Sequence, residues 1–392
     1  MVKKIKEINP NNFGALLFGK GERKKVNKVL KDGMIFRYGY KKSIVDEVEN
    51  KIEGLFNVKH CIATTSGTSG LIAALSVLGL RKGDRVLVSS YTFLATALAV
   101  LRYGATPVPI DIDITSGLDF QDLKEEVEKG CKAVIIVHLQ GRTFDLNKIQ
   151  SFLKEKNIPL IEDACQSFYC SNGKQYSGTI GDIGVFSFQQ FKQLSCGEGG
   201  AVITNNSEYA KTIRNFTDMG SVRDGFPSWD SEGCVFGENY RMTTISASII
   251  SEQLQNLDHI IKKQRWAREF ILDKLQSQDI KVINSFYPLG DSAMNILLEL
   301  CDDQSFDQVQ NFAKNKGIVI RKMWSGVYYN NKLFNDNKLT SCHLKGRECE
   351  KTIKITNRML TLPIPPVLKK NDCIKIVELL VELRKRGQIS GN

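Results

Sequence analysis

The sequence predicts an α/β protein, in which a largely parallel sheet with helices on both faces precedes a smaller α+β domain. From about residue 43 to 205, short runs rich in β-branched residues alternate with segments of helical spacing. Such continuous apolar strands are typical of parallel sheets covered on both faces. After about residue 245 a long helical stretch replaces the alternation. We therefore expect a large domain over residues 1–250 and a small C-terminal domain over residues 251–392.

The individual elements follow from local patterns. Ser43 can cap a helix whose apolar positions from Ile44 to Phe56 follow helical spacing, with Asp46 three residues after the cap. The large domain has further predicted helices at 71–80, 96–103 and 146–156. Its predicted strands are 61–64, 85–89, 106–111, 133–137, 159–162, 184–188 and 201–204. The second part has predicted helices at 245–276 and 372–385 and predicted strands at 293–299 and 318–321.

Composition and charge argue against several classes of protein. The 392 residues are 42% apolar and 25% charged, and no stretch approaches the roughly 18 apolar residues that span a bilayer. With no apolar signal core near the N-terminus, we predict a cytoplasmic protein without a membrane partner. The ten cysteines form no CxxC pair and the four histidines lack metal-ligand spacing, so we predict neither disulfides nor a metal. The net charge of +11 is spread along the chain, which favours a solvated surface over a nucleic-acid site.

Three motifs follow predicted strands. The first, TTSGTSG at 64–70, has small residues where a helix begins, and this is either an anion site or an ordinary helix cap. In the second, Asp163 ends an apolar run and either caps a helix or holds a positively charged group. The third places Lys192 between two apolar runs in a glycine-rich bend. A lysine there is a nucleophile when it is deprotonated, although a single loop lysine is usually only solvated.

Together the motifs suit one cofactor. A phosphate cradle, a carboxylate for a pyridinium and a reactive amine are the anchors of pyridoxal 5′-phosphate. Each motif follows a strand of one parallel sheet, so the three can meet at one edge.

The same residues carry a resemblance to a known family. The chain resembles the DegT/StrS sugar aminotransferases, which are fold-type I pyridoxal-phosphate enzymes, over roughly residues 25 to 385. The motifs that match are SGT at 66–68, YTFLAT at 91–96, EDACQ at 162–166, SFQQFK at 187–192, GEGGAV at 197–202 and NYRM at 239–242. The resemblance implies a mostly parallel seven-stranded sheet, a smaller C-terminal domain, and a homodimer with shared active sites.

The resemblance also implies roles for particular residues. Lys192 would form the Schiff base and shuttle the proton, and Asp163 would pair with the pyridine nitrogen. Gln166 would lie near the phenolic oxygen of the cofactor, and Phe93 would stack on its ring. The phosphate would be held by Thr68, Ser69 and Ser187, with Asn239 arriving from the partner subunit.

The implied reaction is a transamination. Glutamate or glutamine would leave its nitrogen on the cofactor as pyridoxamine 5′-phosphate, and a keto-sugar or keto-cyclitol would then accept it, in amino-sugar biosynthesis. Lys192 argues against the related sugar 3-dehydratases, which have histidine there. Many members have histidine where this chain has Gln189. In having glutamine here, the chain resembles a subset that acts on keto-cyclitols or on the aminohydroxybenzoate precursor, often with glutamine as the amino donor. The segments 36–40 and 290–293 instead resemble transaminases of an 8-keto octulosonate sugar.

Two other classes compete with this interpretation. A non-catalytic regulatory homologue on the same scaffold would not need the cofactor anchors, yet every anchor is present. A nucleotide-binding Rossmann enzyme would need G-x-G-x-x-G spacing before a helix, whereas the glycines of 197–200 lead into a strand. The residues that bind the acceptor substrate are left open, because each candidate can equally be a surface or packing residue. These candidates are Arg37, Tyr38, Gln189, Arg223, Arg241, Arg321 and Tyr328.

Overall fold

The fold is centred on a seven-stranded sheet. A computed structural model describes residues 17–38, 43–114, 117–302, 306–322, 327–330, 334 and 347–391. The spatial order of the strands is β1-β7-β6-β5-β4-β2-β3. They are β1 (His60–Thr64), β2 (Arg85–Ser89), β3 (Thr106–Ile110), β4 (Ala133–Val137), β5 (Leu160–Asp163), β6 (Ile183–Ser187) and β7 (Gly200–Thr204).

The sheet is mostly parallel, as predicted. Strands β2 to β6 pair in parallel, and β7 alone runs antiparallel to both of its neighbours, β6 and β1. Because β5 and β6 are parallel neighbours, their carboxyl ends, Asp163 and Ser187, lie at the same edge. The residues that follow these two strands therefore share one region of the surface.

Helices cover both faces of this sheet. Apolar side chains of three helices pack on one face, and those of the other helices pack on the opposite face. The first group is α3 (Gly67–Leu75), α4 (Leu94–Leu101) and α7 (Ser207–Thr217). The second is α2 (Ile44–Phe56), α5 (Phe120–Glu128), α6 (Asn147–Glu155) and α8 (Thr244–Gln255), with α1 (Lys20–Asp32) packed on α8. A hairpin of β8 (Val222–Asp224) and β9 (Phe226–Ser228) lies between α7 and α8 in the sequence.

The C-terminal part has its own apolar core. Side chains from α9 (Leu257–Leu275), α10 (Phe306–Asn315) and α12 (Lys370–Lys385) surround a pair of antiparallel strands, β10 (Asn295–Glu299) and β11 (Met359–Pro363). A helix, α11 (Glu350–Arg358), leads directly into β11. Helix α9 contributes its first residues to the core of the large sheet and its later residues to this second core. The division at residue 250 remains a prediction.

The structure corrects several predicted elements. The helix expected at 245–276 is two helices, because the chain leaves helical geometry at Asn256. The strand expected at 318–321 is not formed: Ile318 and Ile320 are buried, but Arg321 makes only an isolated bridge to Thr361. The partner of β10 is β11 instead. Helix α3 begins at Gly67 and not at residue 71, so the glycine-rich motif is itself the first helical turn.

Candidate active site

The first turn of α3 forms a site for an anion. Ser66 caps the helix, and its hydroxyl accepts a hydrogen bond from the Ser69 N–H at 3.0 Å. The backbone N–H groups of Gly67 and Thr68 bond to no acceptor among the described residues. Helix N-termini with open N–H groups favour negatively charged groups. The hydroxyl of Ser69 donates to the Ser66 carbonyl at 2.8 Å, so this side chain stabilises the turn.

This turn is packed tightly against the ends of β5 and β6. A Cβ atom on Gly67 would lie 2.7 Å from Cys165 Sγ and 2.8 Å from Ser187 Cβ, both too close for a carbon atom. Glycine therefore allows the helix start to approach both strand ends. Ser187 is buried, and its hydroxyl accepts a weak hydrogen bond from the N–H of Gln189 at 3.3 Å. Ser187, a predicted phosphate ligand, thus lies against the first residue of α3, next to Thr68 in the chain.

The carboxylate of Asp163 is buried and accepts two hydrogen bonds. Asp163 is the last residue of β5 and only 5% exposed. Its Oδ2 accepts a hydrogen bond from Thr96 Oγ1 at 2.7 Å, and its Oδ1 accepts one from the Cys165 N–H at 3.2 Å. Within the described part of the chain it forms no salt bridge. Because an unpaired buried charge is costly, the site suits a cationic group beside this carboxylate.

Lys192 lies on the turn that follows β6. Its N–H donates to the Gln189 carbonyl at 2.9 Å, and its side chain is half-buried. Burial raises the pKa of the Cys165 thiol well above its usual range, the Asp163 carboxylate adds to the rise, and the Lys192 ammonium opposes it. Both charges are therefore within electrostatic reach of one thiol. The predicted lysine and the predicted carboxylate thus both lie at the edge of the sheet where β5 and β6 end.

Phe93 and Gln166 border this place from two other elements. Phe93 is the residue before α4, one turn ahead of Thr96, and its side chain is 55% exposed. Gln166 follows Cys165, and its Oε1 accepts a hydrogen bond from the N–H of Gln140 at 3.0 Å. Both positions are compatible with the contacts that the resemblance implies, which stay predictions.

Two candidate acceptor contacts, Arg37 and Tyr38, lie in an ion-pair cluster. Arg37 is buried, and two of its nitrogens donate to the carboxylate of Glu49 at 2.9 and 2.7 Å. Arg214 donates to the same carboxylate at 2.8 and 2.9 Å. The ring of Tyr38 lies under the Arg223 guanidinium, 3.9 Å from its centroid. The observed contacts of Arg37 are structural, and its use on a substrate remains a prediction.

The segment 239–241 runs beside the anion site. The N–H of Thr65 donates to the Tyr240 carbonyl at 2.9 Å, and Arg241 pairs with Asp218. Asn239 is exposed on this segment.

Two further candidates for binding the acceptor substrate have contacts of their own within the protein. The Oε1 atom of Gln189 accepts a hydrogen bond from the N–H of Phe191 at 2.9 Å. Tyr328, another candidate, is buried and donates its hydroxyl to the Pro107 carbonyl at 3.1 Å.

Comparison with known proteins identifies the group to which the chain is related. Residues 18–381 match the model of the DegT/DnrJ/EryC1/StrS aminotransferase family. The chain belongs to this family. As a member, it is a pyridoxal-phosphate-dependent aminotransferase, which confirms the class and the cofactor that the motifs predicted.

Three relatives illustrate the similarity of this DegT/StrS member. It is 32% identical to GDP-perosamine synthase of Vibrio cholerae over 67% of the chain and 70% of that protein. It is 28% identical to UDP-N-acetyl-3-dehydro-alpha-D-glucosamine 3-aminotransferase of Acidithiobacillus ferrooxidans over 85% of the chain and 86% of that protein. Among solved structures, the GDP-4-keto-6-deoxy-D-mannose-3-dehydratase of Escherichia coli with bound hydrated pyridoxal phosphate superposes with a TM-score of 0.81. That similarity is at 22% identity and covers 93% of the chain and 97% of the dehydratase.

The residues of this DegT/StrS member fit the cofactor chemically. Open N–H groups at α3 suit a phosphate, and the buried carboxylate of Asp163 suits a protonated ring nitrogen. Lys192 supplies an amine that forms no salt bridge with any described residue. No group of three metal-ligating side chains is found among the described residues. No helix in the described ranges is long and apolar enough to cross a membrane.

Sequence reasoning missed two residues of this site. Thr96 ends the matched motif YTFLAT, but that pattern does not predict that its hydroxyl donates to Asp163. Cys165 lies in the matched motif EDACQ, but that pattern does not predict that its thiol packs against the first turn of α3, within electrostatic reach of Asp163 and Lys192. The available signal for Thr96 was its position three residues after Phe93, in the first turn of the helix that Phe93 precedes.

Proposed function

We propose that this aminotransferase moves an amino group from glutamate or glutamine to the ketone of a sugar or cyclitol, in amino-sugar biosynthesis. The observation that carries the proposal is the buried carboxylate of Asp163, which forms no salt bridge with any described residue, at the sheet edge that also carries Lys192 and the first turn of α3. A keto-sugar acceptor is supported by the relative from Acidithiobacillus ferrooxidans, whose name states a 3-dehydro sugar linked to a nucleotide. A cyclitol, an 8-keto octulosonate sugar and the aminohydroxybenzoate precursor are the alternatives that the sequence leaves open.

In this proposal the residues divide the work by chemistry. The bound cofactor supplies an aldehyde that bonds to amines and a ring that accepts electrons. Asp163 keeps the ring nitrogen protonated, because an adjacent anion favours the protonated form. The Nζ atom of Lys192 takes the proton from Cα of the donor, and later delivers a proton to the former ketone carbon of the acceptor. The N–H groups of Gly67 and Thr68, with the hydroxyls of Thr68 and Ser187, would hold the phosphate. The hydroxyl of Ser69, the third predicted ligand, donates to the Ser66 carbonyl and would hold the turn in shape.

The covalent role of Lys192 is testable without a substrate. The protein is incubated with pyridoxal phosphate, reduced with borohydride and digested, and the modified peptide is found by mass spectrometry. We expect the label on Lys192 and its loss in Lys192→Ala. Lys174→Ala is a matched control, since Lys174 is exposed on a turn. A label that persists in Lys192→Ala would overturn the assignment.

The acceptor is identified by a matrix of donors and acceptors. Glutamate and glutamine are each offered with a nucleotide-linked keto-hexose, an 8-keto octulosonate sugar, a keto-cyclitol and the aminohydroxybenzoate precursor. Consumption of the donor is followed by its 2-oxo acid product, and the aminated acceptor by mass. The proposal expects turnover with a keto-sugar or a keto-cyclitol. If no acceptor turns over although the cofactor is bound covalently at Lys192, a non-catalytic homologue is favoured.

A cytoplasmic location and a domain division near residue 250 also belong to this proposal.

We further propose a homodimer with shared active sites. Large apolar side chains near Asn239 in the sequence are exposed, among them Phe226 at 88% and Phe236 fully. Exposed apolar patches commonly mark interfaces. If Asn239 acts in the partner's site, mixing Lys192→Ala with Asn239→Ala subunits restores activity by creating one intact site per mixed dimer. If the two variants are each inactive and exchange subunits, but their mixture stays inactive, the active sites are not shared.

A further inference from the structure

Gln140 holds an unusual position beside the candidate active site. It follows β4, and its backbone is left-handed, with φ 59° and ψ 24°. A residue with a side chain seldom adopts this conformation, and it persists where the surroundings impose it. The side chain of Gln140 is 4% exposed, and the next residue, Gly141, is also left-handed, with φ 73°. The loop after β4 is therefore held in a strained form next to Gln166.

This backbone fixes the orientation of the Gln166 amide. The N–H of Gln140 lies 3.0 Å from Gln166 Oε1. A backbone N–H can only donate, so the Gln166 atom that faces it must be the oxygen. The Nε2 group of Gln166 is then the end that remains available, and it bonds to no described residue. The end of the Gln166 amide without a described partner is consequently the donor and not the acceptor.

The side chain of Gln140 connects this arrangement to the C-terminal core. Its Oε1 accepts a hydrogen bond from Thr361 Oγ1 at 3.2 Å, and its carbonyl accepts one from Asn295 Nδ2 at 3.4 Å. Thr361 lies in β11 and exchanges backbone hydrogen bonds with Arg321 at 3.0 and 2.8 Å. Gln140 therefore contacts both strands of the small sheet, β10 and β11, while its N–H holds Gln166.

We propose that Gln140 is a positioning residue, whose left-handed N–H keeps the Gln166 amide turned so that Nε2 donates to the phenolic oxygen of the cofactor. The inference rests on the proposed function, in which Gln166 lies near that oxygen. A donor on an ionised oxygen favours the ionised form and so lowers its pKa. Loss of the Gln140 hydrogen bond lets the Gln166 amide rotate, and the favourable donor is lost.

The test is a spectral titration of the cofactor-loaded protein without substrates. Gln140→Val disfavours the left-handed backbone, because a β-branched side chain crowds it. We expect this variant to raise the midpoint of the visible absorbance change by roughly one pH unit, as Gln166→Ala does. The double variant should show no further rise. Gln140→Asn should keep the wild-type midpoint, because asparagine tolerates the left-handed conformation.

Folding is checked by thermal unfolding of each variant without cofactor. If Gln140→Val does not fold, Gln140→Ala is compared with Gln140→Gly. Both lack the side-chain amide, but only alanine has a Cβ atom, which disfavours the left-handed backbone, so we expect a higher midpoint for alanine. Equal midpoints in these variants would overturn the inference, as would an unchanged midpoint in a folded Gln140→Val variant.

The same experiment separates this inference from the proposed function. If the wild-type protein develops no visible band with pyridoxal phosphate, the proposed function fails. If the band forms and Gln166→Ala shifts its midpoint while Gln140→Val does not, only the positioning role fails. If neither variant shifts the midpoint, Gln166 does not donate to the cofactor and the inference fails with its premise.

Discussion

The hydroxyl of Thr96 donates a hydrogen bond to Asp163, with 2.7 Å between Oγ1 and Oδ2. The same hydroxyl lies 2.8 Å from Thr92 Oγ1. Because Thr96 uses its proton on the carboxylate, its oxygen accepts the proton of Thr92. Two threonines one turn apart at the start of α4 thus form a short chain of hydrogen bonds that ends on the candidate catalytic carboxylate.

Thr96→Val is therefore expected to weaken cofactor binding without unfolding the protein. The substitution keeps the side-chain shape but removes a hydrogen bond to a charged group, which contributes about 1.5–3 kcal/mol. We expect the dissociation constant of pyridoxal phosphate to rise about tenfold or more, measured by titration of the apoprotein. Thr96→Ser keeps the hydroxyl and should bind as the wild-type protein does. Equal affinities for Thr96→Val and the wild-type protein would show that the hydrogen bond does not orient Asp163.

Asp163→Asn separates charge from shape at the same position. The asparagine oxygen can still accept from Thr96, but the anion beside the ring nitrogen is lost. A neighbouring opposite charge shifts a pKa by about 1–3 units, so we expect turnover to fall on the order of 10- to 1,000-fold at neutral pH. The measurement is the turnover number at saturating donor and acceptor, with covalent loading at Lys192 checked by mass. Turnover within twofold of wild type would contradict the role of Asp163.

The sequence predicted most of the large sheet because its signals are local. The strands from 61–64 to 201–204 are short apolar runs, and the structure places β1 to β7 within one or two residues of them. Asp163 and Lys192 were predictable because Asp163 directly follows such a run and Lys192 lies in the turn after another. Parallel strands then bring their ends to one edge, so that spacing along the chain becomes proximity in space.

Other features depend on contacts that no local pattern encodes. The strand β11 pairs with β10, some 60 residues earlier in the chain, and the apolar pattern at 318–321 resembles a strand equally well. The observed partner of Arg37, Glu49, lies on α2 and is shared with Arg214 of α7, a cluster that no local pattern predicts. Gln140 carried no signal at all, since a left-handed glutamine is dictated by its surroundings and not by its own preference.

Glu162, the neighbour of Asp163, is expected to stabilise the fold. It is completely buried and accepts hydrogen bonds from the N–H groups of Gly178, Ile180 and Gly181 at 2.9, 2.6 and 2.6 Å, with His138 Nε2 at 2.7 Å. In Glu162→Gln an amide NH₂ replaces one carboxylate oxygen, and this NH₂ then faces N–H groups that also donate. We expect a loss of about 2–4 kcal/mol in the free energy of unfolding, measured in urea.

A matched control for Glu162 is the exposed Glu125. Glu125→Gln, which alters one surface contact with Gln121, should stay within about 0.5 kcal/mol of wild type. If Glu162→Gln unfolds at the same urea concentration as the control, the three N–H groups do not depend on the carboxylate charge.

The last prediction concerns the pH dependence of stability through Glu49. Burial raises the pKa of Glu49, but the guanidinium groups of Arg214 and Arg37 outweigh it, so the pKa lies below its usual value. A depressed pKa means that the carboxylate stabilises the fold above the unfolded-state pKa of about 4.3. This contribution is lost as the pH falls through the folded-state pKa.

We therefore expect Glu49→Gln to be destabilised relative to wild type by a constant amount between about pH 6 and 8. The difference should shrink as the pH falls below about 4.3, because the wild-type carboxylate is then progressively protonated in the unfolded and, later, the folded chain. Urea unfolding at a series of pH values measures both free energies, with Glu125→Gln as the control. A difference that stays constant down to the acid limit of folding would mean that Glu49 contributes through shape and not through its charge.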